Sequence, residues 1–244
     1  MTPRLGKAKL FRLVGSACIG GAVFFAGVII NRLWISNYFS DRAAEKAREE
    51  LLESWNRPTE TTFPFLSPAS TIASDEIGPI NVPTNQEAFA LLYIPRIGNE
   101  VWATPVFEGV QSKQLNSGIG HYPHSQTLGE EGNFSLFGHR NSYGQPFINI
   151  QNLQVGDEVI VETKDFWFVY TLKHDKIVRP NATWVTGKSR LPELDLVNDE
   201  PFNVITLVTC EPRHSTEKRW VWWGVLTAVY PHSTPPPALV KPNN

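Results

Sequence analysis

The chain has 244 residues, 41% of them hydrophobic and 11% aromatic, with a formal net charge of −2. That apolar content excludes a disordered polyampholyte, and two cysteines, Cys18 and Cys210, exclude a disulfide scaffold or a multi-cysteine zinc site. The near-neutral charge argues against nucleic acid as a partner, since a general nucleic-acid binder carries a basic face. The average hides an asymmetry: residues 1–12 hold Arg4, Lys7, Lys9 and Arg12 and no acid, which leaves 18 basic against 24 acidic residues in the remainder, a net of −6.

After this basic tip (1–12), Leu13 to Ile30 is eighteen residues without a charge. As a helix it measures roughly 27 Å, close to the ~30 Å of a hydrocarbon core. Trp34, Tyr38 and Phe39 follow, residue types that favour the headgroup region. Residues 13–34 therefore read as an uncleaved transmembrane anchor in contact with lipid. The basic flank places the N-terminus in the cytoplasm and the rest of the chain outside it. No A-x-A-like site ends the run, as a cleaved signal peptide would require, and Cys18 lacks the upstream pattern of a lipoprotein signal.

Residues 35–57 read as a juxtamembrane helix, because Asp41 to Arg57 is rich in Ala, Glu, Lys, Arg and Leu. Its mostly polar circumference predicts a solvated helix leading away from the membrane. Residues 58–86 hold five prolines and many Ser and Thr, the composition of a linker. Residues 232–244 are similar and read as a disordered tail. Between them, residues 87–231 alternate β-branched and aromatic runs with turn signals. Seven strands are predicted: Leu91–Pro95, Val101–Phe107, Phe134–Phe137, Glu158–Glu162, Phe166–Leu172, Val204–Val208 and Arg219–Tyr230. Short strands at this spacing predict one all-β barrel or sandwich.

Cys210 ends the run Asn203–Cys210 and precedes Glu211-Pro212, which does not readily continue a ladder. A strand end is rigid yet accessible, a good seat for a nucleophile. Composition alone leaves this thiol as buried filler, an intermolecular link or a reactive group. A reactive thiol needs help, since its free pKa of about 8.5 leaves little thiolate at neutral pH, and the helper is commonly histidine. His139 stands at the end of the Asn133–Phe137 run and His121 in the loop before it. A lone histidine is more often structural, so spacing by itself does not choose between roles.

Thr206-Leu207-Val208-Thr209-Cys210 resembles the TLxTC signature of sortases, the membrane-anchored cysteine transpeptidases of bacterial surfaces. Gly118-Ile119-Gly120-His121-Tyr122-Pro123, Gly129 to Asn133 and Gly138-His139-Arg140 resemble that family's approach to its catalytic histidine, and Leu92 to Gly98 its first barrel strand. The resemblance covers about residues 88–230 and implies a single closed sortase-type β-barrel of seven to eight strands with short helices, after an N-terminal transmembrane helix. It implies Cys210 as nucleophile, His139 as general acid for the departing amine, and Arg219 as the arginine that holds substrate and oxyanion. Arg213 is nearer Cys210 in sequence but lies in the intervening loop.

Thr209 and His121 are weaker candidates for substrate or oxyanion support; the Thr209 hydroxyl could equally bond within the barrel, and His121 could simply order its loop. Trp220, Trp222 and Trp223 read as barrel packing. No cofactor or metal is expected, since Glu130-Glu131 in a Gly-rich turn reads as solvated. The implied partners are secreted proteins with C-terminal LPxTG- or LAxTG-like sorting signals, and a peptidoglycan-precursor or pilin amine as acceptor. The Gly-His-Tyr-Pro run, the segment Gly138 to Phe147 and the short Cys210-to-Arg219 spacing look most like class E, with D and F as the other classes. Where class E members commonly carry His-Pro-Arg after the cysteine, this chain has Glu211-Pro212-Arg213.

Two other readings remain. An L,D-transpeptidase-like cell-wall enzyme also places histidine before cysteine, but its cysteine follows Ser-x-Gly, absent here. A catalytically silent surface β-module would carry its own sorting motif, which residues 232–244 lack. Motif specificity is expected in the turn-rich stretch 178–201.

Overall fold

The computed structural model describes residues 7–30, 35–55, 77, 79–83, 87–187 and 203–239. Two helices, α1 (Lys7–Ile30) and α2 (Ser36–Ser54), precede eight strands. In chain order these are β1 (Ala88–Tyr93), β2 (Thr104–Glu108), β3 (Ile119–His121), β4 (Gly132–Phe137), β5 (Glu158–Glu162), β6 (Phe166–Val178), β7 (Asn203–Glu211) and β8 (Lys218–Pro231). A four-residue helix, α3 (Ser112–Leu115), leads into β3. The strands close into a barrel in the order β1-β2-β3-β4-β7-β8-β6-β5. Closure removes the exposed ladder groups that an open sheet would leave at its edges.

The predicted all-β barrel is thus present, with one strand more than the seven runs marked out. The addition is β3, which carries His121 at its end rather than in a loop. Ile119-Gly120-His121 is too short, and too interrupted by glycine, to show a strand period.

Alternation along the strands sorts side chains between inside and outside. Ala90, Leu92, Phe134, Leu136, Phe168, Leu172, Ile205 and Leu207 belong to the central cluster that fills the barrel. The opposite faces are also covered. Leu91, Tyr93, Ile160, Trp167 and Val169 pack beneath α2, and Val204, Val208, Val221 and Trp223 pack beneath the short helical turn Thr183–Thr186 through Val185. The rest of the stretch expected to set motif specificity, residues 188–201, lies outside the described residues.

Three segments read as peripheral belong to this packed body. The helix expected to stand free in solvent docks on the barrel. Leu51, Leu52 and Trp55 at its C-terminal end are buried, each burial contributing about 1.5–3 kcal/mol. The end of the proline-rich linker is also held: Ile77 is buried in the central cluster and the Ile80 N–H donates to Leu128 O at 2.8 Å. The tail folds back as well, since Leu239 is buried beside Trp55 and Trp167, and His232 stacks on Trp167 and meets Glu162 at 2.8 Å. Residues 240–244 lie outside the described residues.

The apolar run near the N-terminus is helical, within α1, and exposes Val14, Ile19, Val23, Phe24, Phe25 and Ile29. Counted over the described residues alone, no helix is long and apolar enough to cross a membrane.

Candidate active site

Most of the barrel is antiparallel, but two pairs, β2–β3 and β4–β7, run parallel, the second with Phe137 opposite Val208. Parallel neighbours bring their C-terminal ends to one side of the sheet, so His139, two residues past Phe137, and Cys210, two past Val208, arrive together. The ladder is prolonged past β4 by Gly138, whose N–H donates to Val208 O at 3.1 Å. On the other side β8 runs antiparallel to β7, pairing Val221 with Val208 and Arg219 with Cys210. Directly opposed residues point to one face. His139, Cys210 and Arg219 therefore form a row one step beyond the apolar row Phe137, Val208, Val221, on three adjacent chain segments.

Cys210 and His139 line one cavity of about 440 Å³, with Ser36 of α2, Arg140, the turn Asn141–Tyr143, and His214, Ser215 and Thr216 of the β7–β8 hairpin. Cys210 is half-buried and carries no disulfide. The His139 ring is tilted against Tyr143, with centroids 5.3 Å apart, and its Nε2 lies 3.1 Å from Asn116 Oδ1. An amide oxygen accepts, so this contact places a proton on Nε2 and leaves Nδ1 to exchange one. Burial pushes the His139 pKa below its ordinary value, because a low-dielectric setting disfavours the imidazolium. The ring rests neutral at pH 7.

Arg219 shares Cys210's face, and its Nη1 donates to the carbonyls of Thr216 and Lys218 at 3.0 and 2.9 Å. Arg213 is exposed in the hairpin loop. Thr209 points to the other face: its hydroxyl donates to Gly138 O at 2.8 Å, which commits its single proton to tying β7 to the His139 segment. His121 stands apart from the cavity, buried and stacked on Phe134. Its Nδ1 meets Glu108 Oε2 at 2.5 Å, and its Nε2 lies 3.0 Å from Gln126 O and 3.1 Å from Ser125 Oγ. These contacts order the loop between β3 and β4.

The structure adds groups to which the sequence had assigned no role. Arg140 is buried beneath the row, ion-paired with Glu211 and lying 5.1 Å from the centroid of the Trp220 ring. Its Nη1 donates to Cys210 O, and its Nη2 to Gln151 Oε1, both at 3.3 Å. Burial, the charge of Arg213 and, in the opposite sense, Cys210 together lower its pKa. Glu211, the departure from the His-Pro-Arg pattern, thus has a partner inside the protein. Asn116 carried no motif that could have marked it, and Tyr143, although inside the Gly138 to Phe147 segment, had been given no role; the fold brings both to His139. Among the described residues no group of three or more His, Cys, Asp or Glu is placed to hold a metal ion.

The family model of the sortase domain matches residues 92–227. Sortase E1 of Streptomyces coelicolor is 31% identical over 243 residues, an alignment covering 94% of this chain and 61% of that protein. This chain therefore spans less than two thirds of the length of that relative. The structure of sortase E from Streptomyces avermitilis superposes with a TM-score of 0.55 at 34% identity, covering 62% of this chain and 96% of the other. That of Streptomyces coelicolor sortase E1 with a tripeptide in its active site gives 0.57 at 33% identity, covering 63% and 96%.

Proposed function

We propose, from the premise that this chain belongs to the sortase family, whose members are cysteine transpeptidases, that it cleaves LPxTG- or LAxTG-like sorting signals after threonine and transfers the protein to a cell-wall amine. The observation that carries this reading is the row of His139, Cys210 and Arg219 on adjacent segments, with the thiol and the imidazole sharing one cavity.

Cys210 Sγ attacks the threonine carbonyl carbon while its proton passes to neutral His139. The carbonyl oxygen becomes an oxyanion, which the Arg219 guanidinium stabilises. As the carbon–nitrogen bond breaks, His139 returns the proton to the departing amine of the glycine side, leaving a thioester on Cys210. The incoming amine attacks that thioester, its proton passes through His139, and Sγ leaves as the thiol, so the enzyme is regenerated. Neutral His139 suits this cycle, because an imidazole that already holds both protons cannot accept the first one. A peptidoglycan-precursor or pilin amine is the acceptor.

In the same reading α1 anchors the protein in the bacterial membrane as a single pass, with the basic tip inside and the barrel outside. The uncovered apolar side chains of α1 and the charge asymmetry at its start support that placement. A fluorogenic LAxTG peptide incubated with the full chain in detergent tests the chemistry. Cleavage between threonine and glycine, a covalent acyl adduct by mass, and loss of both in Cys210→Ala are expected. Cleavage unchanged in that variant would overturn the assignment.

A further inference from the structure

The two ends of α2 dock by different means. Its C-terminal end buries Leu51, Leu52 and Trp55, whereas its N-terminal end reaches the site through Asn37 and Ser40. Two neighbours flank His139: Asn116 at Nε2 and Tyr143 against the ring. Both are held from α2. The buried Ser40 hydroxyl donates to Asn116 O at 2.5 Å, a carbonyl at the C-terminus of α3 of the kind that lacks an intrahelical partner. Asn37 Oδ1 accepts from the Gly144 N–H at 3.2 Å.

The second contact secures an unusual piece of backbone. Ser142, Tyr143, Gly144 and Gln145 have φ of +68°, +53°, +72° and +42°, four left-handed residues in succession, three of which are not glycine. Such conformations persist only where the surroundings over-determine them. Here α2 lies directly against the turn: a Cβ on Gly144 would stand 3.0 Å from Ser40 Oγ and 3.3 Å from Asp41 Oδ1. The strained turn and the helix end thus fit each other, and Tyr143 rides on that turn.

We propose that α2 is a latch on the catalytic histidine: Asn37 and Ser40 are positioning residues that hold Asn116 and the Tyr143 turn against His139, so that docking of the helix next to the anchor sets the rate of proton transfer. The inference rests on the reading of His139 as the proton carrier. It makes the helix a working part of the site rather than a spacer. The burial of Leu51, Leu52 and Trp55 keeps the helix on the barrel whether or not the polar latch is made.

The test uses the full chain in detergent, with Asn37→Ala, Asn37→Asp, the double variant Asn37→Ala/Ser40→Ala, and His139→Ala. Cys210, Arg140, Tyr143 and His214, which line the cavity with His139, and Asp41 behind Gly144 remain unaltered in the latch variants. Misplacing a catalytic group costs up to about a hundredfold, so the double variant should lose about ten- to a hundredfold in kcat with KM and thermal midpoint close to the parent. The acid limb of its pH–rate profile should rise toward the ordinary histidine value as water reaches the ring. Asn37→Asp, which keeps an acceptor for Gly144, should stay near the parent where Asn37→Ala does not. An unchanged kcat and pH limb in the double variant, with His139→Ala inactive, would refute the latch and leave the chemistry standing. A kcat loss matched by a lower thermal midpoint, with no movement of the limb, would refute it too. Full activity in His139→Ala would instead overturn the reading on which it rests.

Discussion

At the end of the barrel, two rows of polar side chains lie back to back on the same strands. The outer row is His139, Cys210 and Arg219, of which the first two line the cavity. In the inner row behind it Arg140, which reaches the same cavity, pairs with Glu211 and lies against Trp220, whose Nε1–H donates to Asp175 Oδ2 at 2.8 Å. Both rows contain an arginine beside Cys210, since Arg140 Nη1 donates to Cys210 O at 3.3 Å and Arg219 is the ladder partner of Cys210, and both alternate from the same strand ends. The difference lies in what satisfies them. The inner charges are neutralised within the protein, and a buried pair of this kind is costly to break from one side. The outer groups keep room for a substrate. Proximity to a cysteine therefore does not by itself make an arginine part of the chemistry.

His139→Ala should show the largest effect among the partners of Cys210, a loss of about 10²–10⁴ in kcat for removing a general acid–base, with the fold intact by thermal unfolding. Arg219→Ala should follow, with about 10²–10³ in kcat for a lost oxyanion donor, while Arg213→Ala stays close to the parent. The reverse outcome for these two arginines would move the oxyanion role into the hairpin loop. Arg140→Gln should act on the other axis. It strands Glu211 and should cost about 3 kcal/mol of stability, read by urea unfolding. A loss of 10³ in rate at unchanged stability would erase the distinction between the rows.

Much of this arrangement was legible in the sequence, and the parts that were not share a cause. The β-branched run ending at Cys210 and the aromatic run starting at Arg219 announced β7 and β8 through their own periodicity. The motif around His139 carried the resemblance. What escaped was everything written in small or polar residues. The face that α2 lays on the barrel runs through Asn37, Ser40, Ala44, Arg48, Leu51, Leu52 and Trp55. Only its last turn is apolar, so a hydrophobic stripe does not show. Glu211 looked like a deviation until the fold placed Arg140 beside it. Asn116 lies 23 residues before His139, a separation that no local pattern bridges.

The smallest expected effect separates the rows by titration. Burial holds the His139 pKa below the ordinary value near 6.5, so the folded protein binds this proton less readily than the unfolded chain does. The sign follows: His139's contribution to stability is complete above the unfolded value and is lost as pH falls from there through the lowered folded value. In the proposed cycle, activity follows the same group, because protonated His139 cannot accept the Cys210 proton. The acid limb of kcat/KM should therefore fall at a pH below 6.5. Arg140 in the inner row keeps its charge throughout this window even with a lowered pKa. The residual activity of His139→Ala should be flat across the same range. A limb that survives unchanged in His139→Ala would assign the titration to another group and remove the pH signature that sets the outer row apart.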